Sequence, residues 1–390
     1  MMGFDVVVVG AGLWGSACAR HLAEMGAKVA LVGPAEPVEG AHHTGVFASH
    51  YDEARITRRL ASHVDWSRAA AASMDRYADI ETQGGVPFFH KVGALMAGPE
   101  QGTGSGYILN TKAVAESEGT DHETLRGEAL GKRFPYFSFP EGILGMHEAA
   151  GGWINPRAHV TAEINVGIAK GVTLVRDQVV DVREGAAGVS VRCCNVDALH
   201  AGKVVVACGA FSKASGLLPD PLPLKVYGRT IAFVEIDAVE AARLKDMPSV
   251  VYFFPDGEGD CYILPPVTYP DGKTYLKIGG DPEDAELADV ARMKAWFRGG
   301  GDAQVAEYLA EQLFKLMPDL KSRGVTFGSC ATSFTPRGNP LIYGQTERVF
   351  ALTGGNGAGA KCADEIGRLG ALRVMGKSLE NEGFVTSFAP

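Results

Sequence analysis

The clearest hydrophobic pattern lies at the start of the chain, where residues 6–9 form an unbroken valine run. A strand apolar on both faces predicts a place in the middle of a parallel sheet. Trp14, Cys18, Leu22 and Met25 then recur at helical spacing, one apolar stripe of a helix beginning near Leu13, and Gly26 closes it. Residues 28–32 predict the returning strand. Between the first strand and the helix stand Gly10, Ala11, Gly12 and Gly15 in G-x-G-x-x-G spacing. The first glycine permits the tight turn, the second lets backbone approach a pyrophosphate, and the third allows close helix–strand packing. In this setting the spacing predicts a bound dinucleotide. One feature departs from the pattern: the second strand ends in Gly33, where an acidic residue ordinarily holds the ribose hydroxyls. Either Glu36, three residues on, reaches back or that contact is missing.

Further along, residues 64–77 predict an alanine-rich amphipathic helix, broken at Gly84, Gly85 and Pro87. Residues 88–150 mix short apolar runs with Gly/Ser-rich connections. Residues 158–169 read as helix, and 172–175, 179–182 and 203–208 as strands, the last running through Ala207 into a small-residue turn at Gly209. Residues 217–316 alternate strand-like runs (230–236, 250–254, 262–264, 275–278) with a helix near 305–316. A final strand enters Gly354, Gly355, Gly357 and Gly359, and a helix is expected from about Ala360. Its amide-rich N-terminus suits an anionic group or an electron-rich ring edge. Lys361 would sit in that first turn, where the helix dipole disfavours a cation; the placement points to a specific anionic partner or to a solvated lysine. Arg55 and Arg58 would share a helix face if Asp52 or Glu53 begins a helix, and otherwise belong to a solvated turn with ion pairs. The pattern as a whole is α/β: a Rossmann-like nucleotide-binding domain from 1–83, 151–216 and 317–390, interleaved with an α+β substrate domain on a mixed sheet from 84–150 and 217–316.

Composition narrows the partners. A net charge of −9, from 37 Lys+Arg against 46 Asp+Glu, argues against nucleic acid. No apolar run is long enough to span a bilayer, and the apolar N-terminus lacks the basic region of a signal peptide. The seven cysteines contain no C-x-x-C pair, so neither a disulfide framework nor a zinc site is expected, and a reducing, cytoplasmic compartment is.

Four separated stretches, in order, carry a family resemblance: the G-x-G-x-x-G turn, SHYDEARITR, YLKIGG, and SCATSFTPRGNPLIYG running on to GGNGAGAK. Together they resemble the FAD-dependent amine oxidases typified by monomeric sarcosine oxidase and N-methyltryptophan oxidase, over essentially the whole chain. The resemblance implies FAD as cofactor, its pyrophosphate at Gly10, Gly12 and Gly15, its adenine against Val179, and Ala207 to Gly209 along it. It places Cys330 where these oxidases attach the flavin covalently. The basic segment matches at His50, Arg55 and Arg58, with Arg55 near the flavin and Arg58 paired with Lys361 on a substrate carboxylate. Lys277 matches the lysine over the flavin that assists reaction with oxygen, and Tyr262 an active-site tyrosine on the preceding strand.

The departures bear on substrate. Where sarcosine oxidase has an aromatic residue two positions after the cysteine this chain has Thr332, and where the family has histidine four after the lysine it has Asp281. Flavin chemistry is expected to persist in a rebuilt pocket, on a small amine or amino acid with a larger polar or cationic N-substituent or side chain. The reading is an FAD-dependent oxidase of secondary or N-substituted amino acids, giving an imine and hydrogen peroxide from O2, in a monomer or small homo-oligomer. The alternatives are a dehydrogenase that passes electrons to a protein or quinone, and a non-catalytic flavin-bearing protein.

Overall fold

The computed structural model describes residues 3–255, 257, 259–280 and 282–390. Its first sheet is built around Phe4–Val9, with Val29–Val32 and then Thr173–Val175 on one side, and Leu199–Val206 and Val349–Thr353 on the other, all parallel. The antiparallel pair Val179–Gly185 and Gly188–Cys193 extends it beside Leu199–Val206. The valine run is buried on both faces, as a central strand must be. Val6 and Val8 pack with Cys18, Leu22, Ile366 and Leu369 from the helices Leu13–Glu24 and Ala363–Val374, whereas Val7 and Val9 pack with Val179, Val189 and Val191 of the antiparallel pair. Gly10 has φ +112°, and a Cβ there would lie 2.4 Å from the Ala207 carbonyl oxygen. Only glycine fits where these two strands part.

Among the described residues the second sheet has nine strands. Lys225–Ile236 lies between Gly324–Phe334 and Thr274–Gly280, and Asp260–Thr268, Ser249–Phe253, Ala94–Pro99, Ile143–Glu148 and Glu123–Arg126 continue outward. Strand alternation divides its faces. Ala232, Val234, Ile263, Leu276 and Ile278 pack against Leu309, Leu313 and Leu316 of the amphipathic helix Ala303–Leu316. The intervening positions place Lys277, Tyr262, Cys330 and Thr332 on the opposite face, toward the nucleotide-binding sheet. Cys330 thus stands on a strand of this second sheet, although the boundary expected at residue 317 groups it with the nucleotide-binding segments; its partner strand Lys225–Ile236 comes from the other side of that boundary.

Two local expectations change. Arg55–Thr57 is a short strand paired with Gly152–Ile154, not a helix turn, because residues 55–57 join a three-stranded ladder beside the helix Val64–Gly84. The last helix begins at Ala363 with Cys362 as N-cap, so Lys361 precedes it. The loop before it is held by Trp14 Nε1, which donates to the Gly359 carbonyl at 2.8 Å.

Candidate active site

An elongated cavity follows the C-terminal ends of the parallel strands, where an open α/β sheet presents its ligand crevice. At one end it is lined by Gly33, Gln178 and Val179, beside the turn of Gly10, Ala11 and Gly12. Ala207 and Gly209 form its floor, and Cys330, Thr332, Gly355, Gly357 and Gly359 close its far end. Gly15 lies beneath the turn, where a Cβ would meet the Gly10 carbonyl oxygen at 1.8 Å. Glu36 does not line the cavity: both its oxygens accept from Arg157 at 2.7 Å. His50 lines it in neutral form, because burial and then Arg157, Arg176 and Arg55 push its pKa down to about 3.

At the cysteine end, Arg55 Nη2 donates to Ser49 O at 2.9 Å and reaches Cys330 Sγ at 3.5 Å. Arg55 also pairs with the Asp52 carboxylate, which pairs in turn with Lys277 and accepts from Tyr269 Oη at 3.0 Å. Lys277 is 1% exposed; it donates to Ala54 O at 2.7 Å and sits 5.7 Å from the centre of the Tyr262 ring. The Tyr262 side chain packs against Gly279, where a Cβ would approach it to 2.3 Å. Of the departures, Thr332 lines the cavity and accepts from Arg229 Nε at 3.0 Å, while Asp281 lies outside the described residues.

A second group of charges, none of which lines the cavity, is buried where Lys361 follows the lining residue Ala360. Arg58, Lys361 and Glu148 are 8%, 5% and 1% exposed. Glu148 accepts from the backbone of Arg59 at 2.8 Å and of Leu60 at 3.0 Å, and one Arg58 Nη donates to Leu60 O. Arg58 Nε and Lys361 Nζ, both fully buried, find no hydrogen-bond partner among the described residues. Burial and then the neighbouring Arg58 push Lys361 down to about 7. Two orphaned cationic donors in a dry site are costly unless an anion completes them.

Sequence reasoning brought Arg55, Arg58, Lys277, Tyr262, Cys330 and Lys361 forward. It did not find Glu148, which lies in a run with no recognisable motif, and it considered Asp52 only as a helix start. Lys277 carries a legible signal after the fact: a lysine between Leu276 and Ile278 in a strand must face away from the core those two residues build.

Residues 5–373 match the family model described as FAD dependent oxidoreductase. Monomeric sarcosine oxidase of Bacillus sp. (strain B-0618) is 27% identical over 260 residues, 65% of this chain and 64% of that enzyme. N-methyl-L-tryptophan oxidase of Yersinia pestis (strain Pestoides F) is 24% identical over 385 residues, 96% of each chain. The chain therefore spans just under two thirds of the first relative and nearly all of the second. Among solved structures, NikD, an unusual amino acid oxidase, matches with TM-score 0.78 at 21% identity, over 100% of this chain and 98% of that one, a likeness of fold. The cavity fits FAD: a glycine turn with no room for a Cβ at Gly10 or Gly15 opens onto the helix Leu13–Glu24, with no acidic side chain in its first turn to repel a pyrophosphate.

Proposed function

This chain belongs to the FAD-dependent oxidoreductase family, and on that footing we propose that it oxidises the C–N bond of secondary or N-substituted amino acids, with O2 as acceptor. Bound FAD supplies the two-electron acceptor and, once reduced, the donor that turns O2 into hydrogen peroxide, leaving the substrate as an imine. The observation that carries the substrate class is the pair of buried, unpartnered donors, Arg58 Nε and Lys361 Nζ. A carboxylate completes both: the guanidinium fixes its plane and the ammonium its direction. Glu148, anchored on the Arg59 and Leu60 amides, keeps the pair from being a bare double cation. With the acid held there, the amine and its C–H bond are oriented toward the Tyr262 and Lys277 face. Cys330, buried at the cavity's far end with the Arg55 guanidinium on its sulfur, is the attachment point for the flavin. Lys277 provides the charge against which oxygen is reduced. The names of the two relatives, sarcosine oxidase and N-methyl-L-tryptophan oxidase, support an N-methyl or larger N-substituent on the amine.

Peroxide release from a panel of N-substituted amino acids, each set beside the same amine without its carboxylate, tests this. Two charge-assisted contacts of about 1.5–3 kcal/mol each make the acid better in kcat/KM by about a hundredfold or more. Equal turnover of acid and decarboxylated amine would remove the clamp, and substrate oxidation without oxygen uptake would mark a dehydrogenase.

A further inference from the structure

The oxidation just described leaves Asp52 without a task, yet its carboxylate is 6% exposed and stands at the centre of the cysteine-end charges. It touches Arg55 and Lys277, accepts from Tyr269 Oη at 3.0 Å, and takes the Glu53 amide at 2.8 Å. Among the described residues it supplies the one carboxylate in contact with Lys277. The groups facing that lysine from other elements are Arg55, the Tyr262 ring on the adjoining strand, and Cys330 across the sheet.

A lysine ammonium enclosed in protein loses several pKa units unless an anion is bonded to it. Here burial, and then the Arg55 guanidinium, act to lower Lys277. A carboxylate in direct contact acts in the opposite sense. The distinction matters because a neutral lysine brings no charge to the reduction of oxygen. We infer that Asp52 is the counter-ion that keeps Lys277 an ammonium at the flavin site, and is thereby a positioning residue for the oxygen half of the reaction. This rests on the role proposed above for Lys277. It accounts for the geometry economically: one carboxylate, fixed by Tyr269 and the Glu53 amide, orients two cations of the same site, Arg55 toward Cys330 and Lys277 toward the sheet face it shares with Tyr262.

The test uses the flavin-loaded enzyme with two readouts, the visible flavin spectrum as a function of pH and stopped-flow traces of the two half-reactions. Asp52→Asn is expected to show a one-proton spectral step, absent from the wild type, that is missing again from Asp52→Asn/Lys277→Met. Its reoxidation above the pH of that step, where the ammonium is lost, should be slowed about tenfold or more. That rate should recover as pH is lowered, and reduction by substrate should change far less. Asp52→Glu should restore the wild-type profile. No spectral step in Asp52→Asn, or equal loss in both half-reactions at every pH, would overturn the inference in favour of a purely structural carboxylate. Should Asp52→Asn give no folded flavoprotein, the wild type decides: a reoxidation rate that falls with rising pH across a spectral step that Lys277→Met abolishes would refute a paired ammonium, and a wild-type rate that stays level with pH and well above that of Lys277→Met supports it. The two layers separate cleanly. Lys277→Met reoxidising at the wild-type rate removes the lysine's role altogether, whereas a slow Lys277→Met beside an unaffected Asp52→Asn removes only the counter-ion.

Discussion

Lys361→Met is the substitution whose consequences can be worked furthest. In the free enzyme Lys361 is pushed down to about 7 by burial and by Arg58. A bound carboxylate adds an opposite charge and raises that value in the complex. The sign follows from linkage. Below pH about 7 the ammonium is present before the ligand arrives, and affinity is flat; above it, binding takes up one proton, so Kd rises by up to about tenfold per pH unit. Losing one buried charge-assisted contact costs about 1.5–3 kcal/mol, roughly 10- to 150-fold in Kd at low pH. Lys361→Met should therefore bind weakly and without the pH dependence. The clean ligand is a carboxylic acid without an amino group, such as propionate, because a substrate amine would add its own titration; flavin absorbance reports occupancy. Arg58→Met removes the repulsion on the lysine as well as a contact, so its break should move to higher pH. A Kd for the wild type that stays level from pH about 6 to 9, or a pH dependence that survives in Lys361→Met, would refute this account of the clamp.

Other outcomes are expected from separate parts of the molecule. Acid precipitation should leave the flavin colour in the pellet for the wild type and in the supernatant for Cys330→Ala; free flavin from both would sink the covalent link. Lys277→Met should slow reoxidation by about a hundredfold while leaving flavin reduction nearly intact, as loss of a preorganised charge at a developing anion does; equal loss in both half-reactions in stopped flow counts against it. Thr332 lines the cavity at the position where the family resemblance implies an aromatic residue, so sarcosine should trail amino acids with larger polar N-substituents in kcat/KM, and a peroxide panel headed by sarcosine contradicts that. In the first turn of the last helix, Asp364 is buried among His21, Arg20 and Arg76. Burial alone would raise its pKa, but the His21 hydrogen bond and the arginines outweigh it and hold it well below the carboxylate range. Its stabilisation is thus present above the unfolded value of about 3.9 and lost as pH falls through the folded one. Asp364→Asn should cost about 3–5 kcal/mol at neutral pH, by uncovering buried arginine charge, and flatten the acid limb of the Tm–pH curve; an unchanged Tm refutes it.

The nucleotide-binding half was legible because its elements are local. A valine run, three glycines at fixed spacing and a helical stripe each declare their conformation without tertiary help, and residues 6–9 lie buried on both faces as the run required. The elements around the cysteine end were harder for the opposite reason. Whether residues 52–58 turn into a helix depends on a ladder partner, Gly152–Ile154, about a hundred residues away, and that contact decides for strand. The start of the last helix was misplaced because residues 355–361 are tied by long-range bonds such as Trp14 to Gly359. Charges behave likewise. Lys361 read as a possible solvated lysine, and only the packing of Arg58 and Glu148 beside it reveals a buried cation without a partner. Glu36, by contrast, was proposed for the ribose on proximity in sequence, and Arg157 from another helix takes both its oxygens.

The central claim, an oxidase of carboxylate-bearing secondary amines, is tested most directly by one anaerobic experiment. The flavin-loaded enzyme is mixed with an N-methyl amino acid without oxygen, the flavin absorbance is followed, and air-saturated buffer is then added. The expected result is full bleaching by the amino acid, bleaching about a hundredfold or more slower by the amine lacking its carboxylate, and rapid return of the colour on aeration with one hydrogen peroxide per flavin. Bleaching that oxygen fails to reverse, or an enzyme that no carboxylate-bearing secondary amine bleaches, would contradict it.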